Sequence, residues 1–451
     1  MEIPQPVQDM SENKVPKIAP GAWWMLAVLW LLYSLSFLDR YIITMLVDPI
    51  RGDLGLTDFQ MSLVLGPAYA LCYAFATFPF GWAADRFPRR WVALVGVVVW
   101  SLATAATGMA QSFASLMSAR IGVGVGEAAL SPTAYSMIAD RFPRERLTTA
   151  SAIFQTAIKA GSAAAFGVGG LLLAVAAQLG TIAILGAGGS APWRPVMLMV
   201  GLPGLIVGLL LFTFPEPTRR ASGLAAGESE ARLWPFVVAN RKVLIPLAIG
   251  FALTSMGASA LVSWAPAYIG RRFGWSPLHY GAILSVLSIV AAGALVLKGT
   301  VVDWLFKRGM KDAHIRFYCW MLAASLPVAL GLFFVPNPYV FFVMYAFLLL
   351  VMISFGAYGT AAMSVLAPTY LRGRMTALFL LMINLAGSGL GAPVVGALTD
   401  FVFHDKAKIG MSLAVTEAIT IPAALIALSL SLGQWRLALD RREPTTAPVA
   451  A

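Results

Sequence analysis

Hydrophobic residues in this chain come in long unbroken blocks divided by short polar punctuation, with neither the period of a surface helix nor the alternation of a half-buried strand. Twelve blocks stand out: 22–46, 58–82, 91–110, 113–138, 148–178, 193–214, 243–269, 277–301, 314–334, 338–362, 375–400 and 411–434. Each is near the ~20 residues a helix needs to cross ~30 Å of hydrocarbon. A helix satisfies its own backbone polar groups inside lipid, whereas a membrane barrel would show alternating ten-residue segments. The pattern therefore predicts an all-α membrane protein with twelve spans. The longest polar stretch, 215–242, divides them into a bundle at 22–214 and a bundle at 243–434, with tails at 1–21 and 435–451. The first tail contains Glu2, Asp9 and Glu12 and lacks a basic start followed by a short apolar core. It is expected to be a cytoplasmic tail and not a cleaved signal peptide.

Composition agrees with this picture, since 59% of residues are hydrophobic and only 12% charged, about half the ~25% typical of soluble domains. The net charge of +11 would suit a nucleic-acid partner, but its distribution excludes one. The N-terminus, the even-numbered loops with Arg316 at their edge, and the C-terminus carry 22 Lys and Arg; the odd-numbered loops carry 6, namely Arg51, Arg194, Arg271, Arg272, Lys406 and Lys408. The positive-inside rule then predicts a multi-pass protein of the inner (plasma) membrane with both termini cytoplasmic. Cys72 and Cys319 fall inside apolar blocks, and His279, His314 and His404 lie at span edges or in loops. No nucleophile–base or metal-ligand constellation emerges, so neither an enzyme nor a cofactor is expected.

The two halves repeat each other. Gly81…Asp85 after span 2 recurs as Gly299…Asp303 after span 8, 218 positions later; Arg144-Glu145-Arg146 before span 5 recurs as Arg372-Gly373-Arg374 before span 11, 228 positions later. Repeated halves build many transporter folds, with the substrate site between them near the midplane.

These residues resemble the major facilitator superfamily. GWAADRFPRR, from Gly81 to Arg90, is similar to that superfamily's loop signature G-x-x-x-D-R-x-x-R-R, and GTVVDWLFKR after span 8 is a degenerate copy. More narrowly, Asp39-Arg40-Tyr41 in span 1, the signature loop, and the run RIGVGVGEA from Arg120 to Ala128 resemble the spinster-like lipid transporters. The resemblance is densest over 36–150. It implies a major facilitator fold of two six-helix bundles related by a pseudo-two-fold axis, working by alternating access as a monomer. It also implies proton-driven movement of an amphipathic anionic lipid of the lysophospholipid or sphingolipid kind. Transporters of small organic anions also carry an arginine in helix 1 and an R-x-x-x-G-x-x-E run in helix 4, so a proton symporter of small carboxylates is the alternative.

Ionisable groups in hydrocarbon cost roughly 2.5–3.5 kcal/mol each on insertion scales, which singles out Asp39, Arg40, Arg120, Glu127, Lys159 and Lys298. Arg120 and Glu127 are seven residues apart, nearly two turns, so they share a helix face at ~10 Å separation. The predicted machinery is Asp39 and Glu127 as proton carriers, with Arg40 and Arg120 holding an anionic group or pairing with whichever carboxylate is ionised. A static buried salt bridge would stabilise less well than apolar replacements, which favours function. Lys159, near the midplane of span 5, is a further candidate contact for the anion, and Tyr33 and Phe37 for the cavity wall. Lys298, three residues from the expected end of span 8, reads as snorkelling outward; Asp400 and Glu417, near span ends, are given no role.

The signature loop predicts a cytoplasmic gate made of Gly81, Asp85, Arg86 and Arg90, with Asp140, Arg144 and Asp303: Asp85 reaching toward span 11, and the loop arginines toward the 140–146 loop, when the cavity opens outward. Small residues four apart, Gly122/Gly126, Gly161/Ala165/Gly169 and Gly387/Gly391, predict close helix packing. Pro67, Pro79, Pro132 and Pro266 predict kinks.

Overall fold

The computed structural model describes residues 20–178, 191–219, 226–310, 312–352, 354–368 and 371–440, all organised as helices and short connections. Twelve helices are long and apolar enough to span a membrane. Spans 1–6 are Ala22–Met45, Asp58–Arg86, Arg89–Gly108, Phe113–Arg141, Thr149–Gln178 and Trp193–Phe212; spans 7–12 are Arg241–Phe273, Pro277–Lys307, Ala313–Phe334, Pro338–Leu366, Arg372–Val402 and Lys406–Trp435. Each coincides with an apolar block of the sequence. The main departure is at the ends, where helices run one or two turns past the apolar residues because helical geometry outlasts hydrophobicity. Within the stretch taken as a polar linker, Ala226–Ala239 forms a further helix.

Packing follows the sequence repeat. Spans 1 and 5 lie together as 7 and 11 do, and 3 and 6 as 9 and 12 do. The halves meet through 1 against 7 and through the exchange-related pairs 2 against 11 and 5 against 8. Two of the four proline kinks are true interruptions. Span 2 breaks at Gly66–Pro67, and span 4 breaks at Ala128–Ala129, where Pro132 lacks the N–H that Ala128 would otherwise receive. Pro79 and Pro266 sit inside continuous helices.

Helices in lipid have no hydrophobic drive to associate and depend on close packing. The four-residue small-side-chain pattern supplies it: a Cβ on Gly126 would lie 2.5 Å from the backbone nitrogen of Trp100, and one on Gly391 would lie 2.5 Å from the Met256 carbonyl.

Between described residues, the hydrogen bonds and ion pairs joining the halves lie at the end bearing the odd-numbered loops. Arg271, at the end of span 7, grips Asp48 at 2.7 Å and Asp58 at 2.7 Å. Asp58 is fully buried and is also reached by Arg51 at 3.1 Å. Nearby, the Phe59 N–H donates to Asp400 at 2.6 Å, and Phe59 meets Phe401 ring to ring. Gly281 and Gly170 bring span 8 directly onto span 5 at the same end. This end is latched.

Candidate functional site

Span 1 places Asp39 and Arg40 on different faces, because neighbours in a helix point ~100° apart. Asp39, 2% exposed, turns toward span 3 and accepts a hydrogen bond from the Thr104 hydroxyl at 3.1 Å. Arg40 turns toward span 4 and the space between the halves. Its Nη2 donates to Glu127 Oε2 at 2.6 Å, and that oxygen also accepts from the Tyr69 hydroxyl at 2.9 Å. The Arg40 guanidinium lies 4.2 Å from the Phe37 ring centroid, 4.3 Å from Tyr69 and 5.5 Å from Tyr73. An aromatic box of this kind holds a weakly hydrated guanidinium while leaving one edge free.

Arg120 is fully buried, and its three guanidinium nitrogens have no hydrogen-bond partner among the described residues. It lies in the field of both Asp39 and Glu127, each of which keeps one oxygen unpaired. Arg120, expected to hold an anion or to pair with an ionised carboxylate, makes no direct hydrogen bond to either carboxylate in this conformation. Arg120 lies buried in the field of the two carboxylates, whereas the side chain of Arg40 is 19% exposed. Arg40 chooses Glu127 over its sequence neighbour Asp39 because only Glu127 shares its face.

Around this core is a wall of hydroxyls and rings. Tyr33 stacks on Phe154 at 4.5 Å and meets Phe37 edge-on at 5.0 Å. Ser131 lies 3.1 Å from the Tyr73 hydroxyl and donates to the Tyr33 hydroxyl at 3.5 Å. Tyr135, on the same helix face as Ser131, is 37% exposed. Tyr69, Tyr73, Ser131 and Thr104 were invisible to the sequence reading, although Tyr69 and Tyr73 sit four apart on one helix face. Lys159 on span 5 is partly exposed, and its charge reaches Lys298 on span 8. Span 8 continues to Lys307, so Lys298 lies nine residues from its end and does not snorkel. Its ammonium instead donates to the Leu350 carbonyl and the Ser354 hydroxyl of span 10.

The gate residues divide. Asp140 pairs with Arg89, a buried residue outside the predicted set, which also donates to Ser136 at 2.8 Å and to the Pro217 carbonyl at 2.6 Å. Arg90 pairs with Glu216 at 3.4 Å. Arg86 lies over Trp82 at 4.3 Å. Asp85 contributes only its carbonyl, which accepts from Arg219. Gly81 has open space around it, Asp303 is exposed, and the side chain of Arg144 lies outside the described residues. These contacts stay within the first half and the start of the 215–242 stretch that follows it, and no described residue pairs Asp85 with span 11.

The family comparison decides the class: residues 29–392 match the Major Facilitator Superfamily. The chain belongs to that superfamily. Among its members, the chain is 26% identical over 393 residues to an MFS-type efflux pump of Mycolicibacterium smegmatis, covering 85% of this chain and 86% of the pump. It is 24% identical over 459 residues to the probable galactarate/D-glucarate transporter GudP of Bacillus subtilis, covering 93% and 94%. The fold is that of the bacterial homolog to the human lysosomal transporter spinster in an inward-facing, unoccupied conformation, with a TM-score of 0.77, 23% identity, and 94% and 98% coverage. The protein is thus a multi-pass, major facilitator transporter with twelve spans.

Proposed function

We propose that this major facilitator protein is a proton-coupled transporter of small organic anions of the sugar-acid type. The observation carrying the reading is Arg40: a partly exposed guanidinium tied to Glu127 in a box of rings, with Tyr33, Tyr73, Ser131 and Tyr135 presenting hydroxyls beside it. A sugar acid matches that arrangement group for group. Its carboxylate suits the guanidinium, and its hydroxyls suit tyrosine and serine. The similarity to a galactarate/D-glucarate transporter supports the same class.

The charges supply the coupling. Asp39, Arg40, Arg120 and Glu127 sum to zero when all are ionised. A proton taken by Glu127 releases Arg40 and leaves one positive charge, which an entering carboxylate neutralises. Proton and anion therefore favour each other's binding, and by linkage the preference is mutual. The latched odd-loop end, together with the 22-to-6 distribution of basic residues, supports reading this as the cytoplasm-facing state. Alternating access requires the Arg271 latch to part and the predicted gate around Asp85 to close.

A lipid substrate is the second reading. It is favoured by the spinster-like segments at Asp39–Tyr41 and Arg120–Ala128 and by an apolar groove of about 140 Å³ between spans 7, 10 and 11, lined by Leu244, Met363 and Phe379 among others. Ligand protection separates the two. A ligand at a hundred times its Kd raises stability by about 2.7 kcal/mol, so galactarate or galactonate should raise the melting temperature of the purified protein and a lysophospholipid below its micellar concentration should not. The opposite ranking would establish the lipid reading.

A further inference from the structure

Glu417 lies within span 12 and is fully buried. Its Oε2 receives the Thr420 hydroxyl at a long 3.4 Å, and its Oε1 has no partner. Span 7 presses directly on the carboxyl: a Cβ added to Gly257 would lie 2.7 Å from Oε2, 2.9 Å from the Thr420 hydroxyl and 3.0 Å from the Met352 methyl of span 10. Span 7 also brings Thr254, whose hydroxyl is committed to the Gly250 carbonyl at 2.9 Å. Span 9 brings the buried Tyr318, whose hydroxyl points to the Met352 carbonyl at 3.5 Å and lies within the field of Glu417. Span 10 adds Tyr358, 5.2 Å from Tyr318 ring to ring, with its own hydroxyl buried and unpartnered. Tyr318 is the titratable group that faces Glu417 directly, with Tyr358 behind it, and among the described residues no Lys, Arg or His pairs with it.

In the first half, the buried Asp39 and Glu127 each lie in the field of an arginine. An ionised carboxylate on an apolar seam, with one weak donor and no cation, would carry an uncompensated desolvation cost of several kcal/mol. A carboxylic acid carries no charge and brings a donor of its own. We propose that Glu417 is a proton-binding site of the second half, occupied in this conformation. The exchange is simple: an O–H bond forms at Glu417 with a proton from water, and the proton returns to water when water reaches and solvates the carboxylate. This site lies outside the Asp39/Glu127 cluster and is independent of the substrate carried.

Infrared spectroscopy of the full chain in lipid at neutral pH tests it, because a protonated carboxyl has a carbonyl stretch distinct from the carboxylate bands. The expected result is a protonated component that disappears in Glu417→Gln and survives in the Asp39→Asn/Glu127→Gln double variant. A spectrum unchanged by Glu417→Gln would overturn the proposal. Thr420→Val covers the case in which Glu417→Gln does not fold: loss of the neighbouring hydroxyl should shift the same component, and an unmoved component overturns the proposal equally.

Discussion

The two halves repeat one architecture yet treat buried charge in opposite ways. In the first half, four ionisable groups gather within two helices' reach and cancel, with Arg40 on Glu127 and Arg120 in the field of both carboxylates. In the second half, the charges within the membrane stand apart: Lys298 is satisfied by a carbonyl and a hydroxyl, and Glu417 has a single weak donor, while the buried Asp312 pairs with Arg316 only where span 9 begins. A cluster that is neutral in sum can be tipped by one proton or by one anion, whereas an isolated carboxyl answers to a proton alone. On the proposed function, the coupling of proton to anion therefore belongs to the first half. The second half supplies the opposing wall and, through Arg271, the latch.

Arg40→Ala should break this contrast most severely. Removing one partner of a buried pair costs about 3–5 kcal/mol, so substrate binding and transport should fall at least about 100-fold. Arg40→Lys should fail to restore them, because the ring-boxed geometry suits a planar guanidinium. Binding titrations that found Arg40→Ala within a few-fold of the parent would remove the first half's special status.

Arg271→Ala tests the second half's share. It strips Asp48 and the buried Asp58 of a shared guanidinium, a loss of about 1–3 kcal/mol. The population should move about 10- to 100-fold toward the outward-open state. Spin-label distances across the odd-loop end should lengthen; unchanged distances would show that the latch does not hold that end shut.

The smallest effect concerns packing. Gly126→Ala places a methyl 2.5 Å from a Trp100 backbone atom, whereas Gly299→Ala meets nothing within 4 Å. The first should lower stability by about 1–3 kcal/mol and the second should leave the melting temperature alone. Equal melting temperatures would show that the close contacts of span 4 contribute nothing.

Spans, halves and the break before Pro132 were legible in the sequence because each follows from local properties: apolar length, repeat spacing, a missing N–H. The site was legible as a set of residues but not as a set of partners. Asp39 and Arg40 adjoin in sequence and diverge in space, while Arg271 meets Asp48 across 223 positions and in sequence looks only like an orientation charge. Arg89 was passed over for its neighbours because nothing local distinguishes one loop arginine from the next. Glu417 looked peripheral because the apolar block of span 12 begins at 411, whereas the helix begins at Lys406 and carries that carboxyl deeper.

The measurement closest to the central claim is uptake of a labelled sugar acid into proteoliposomes with and without an inward proton gradient. The coupling drawn here predicts accumulation above equilibrium only with the gradient, and in Glu127→Gln exchange of substrate that no longer responds to it. Accumulation indifferent to the gradient in the parent protein, or still driven by it in Glu127→Gln, would contradict the account.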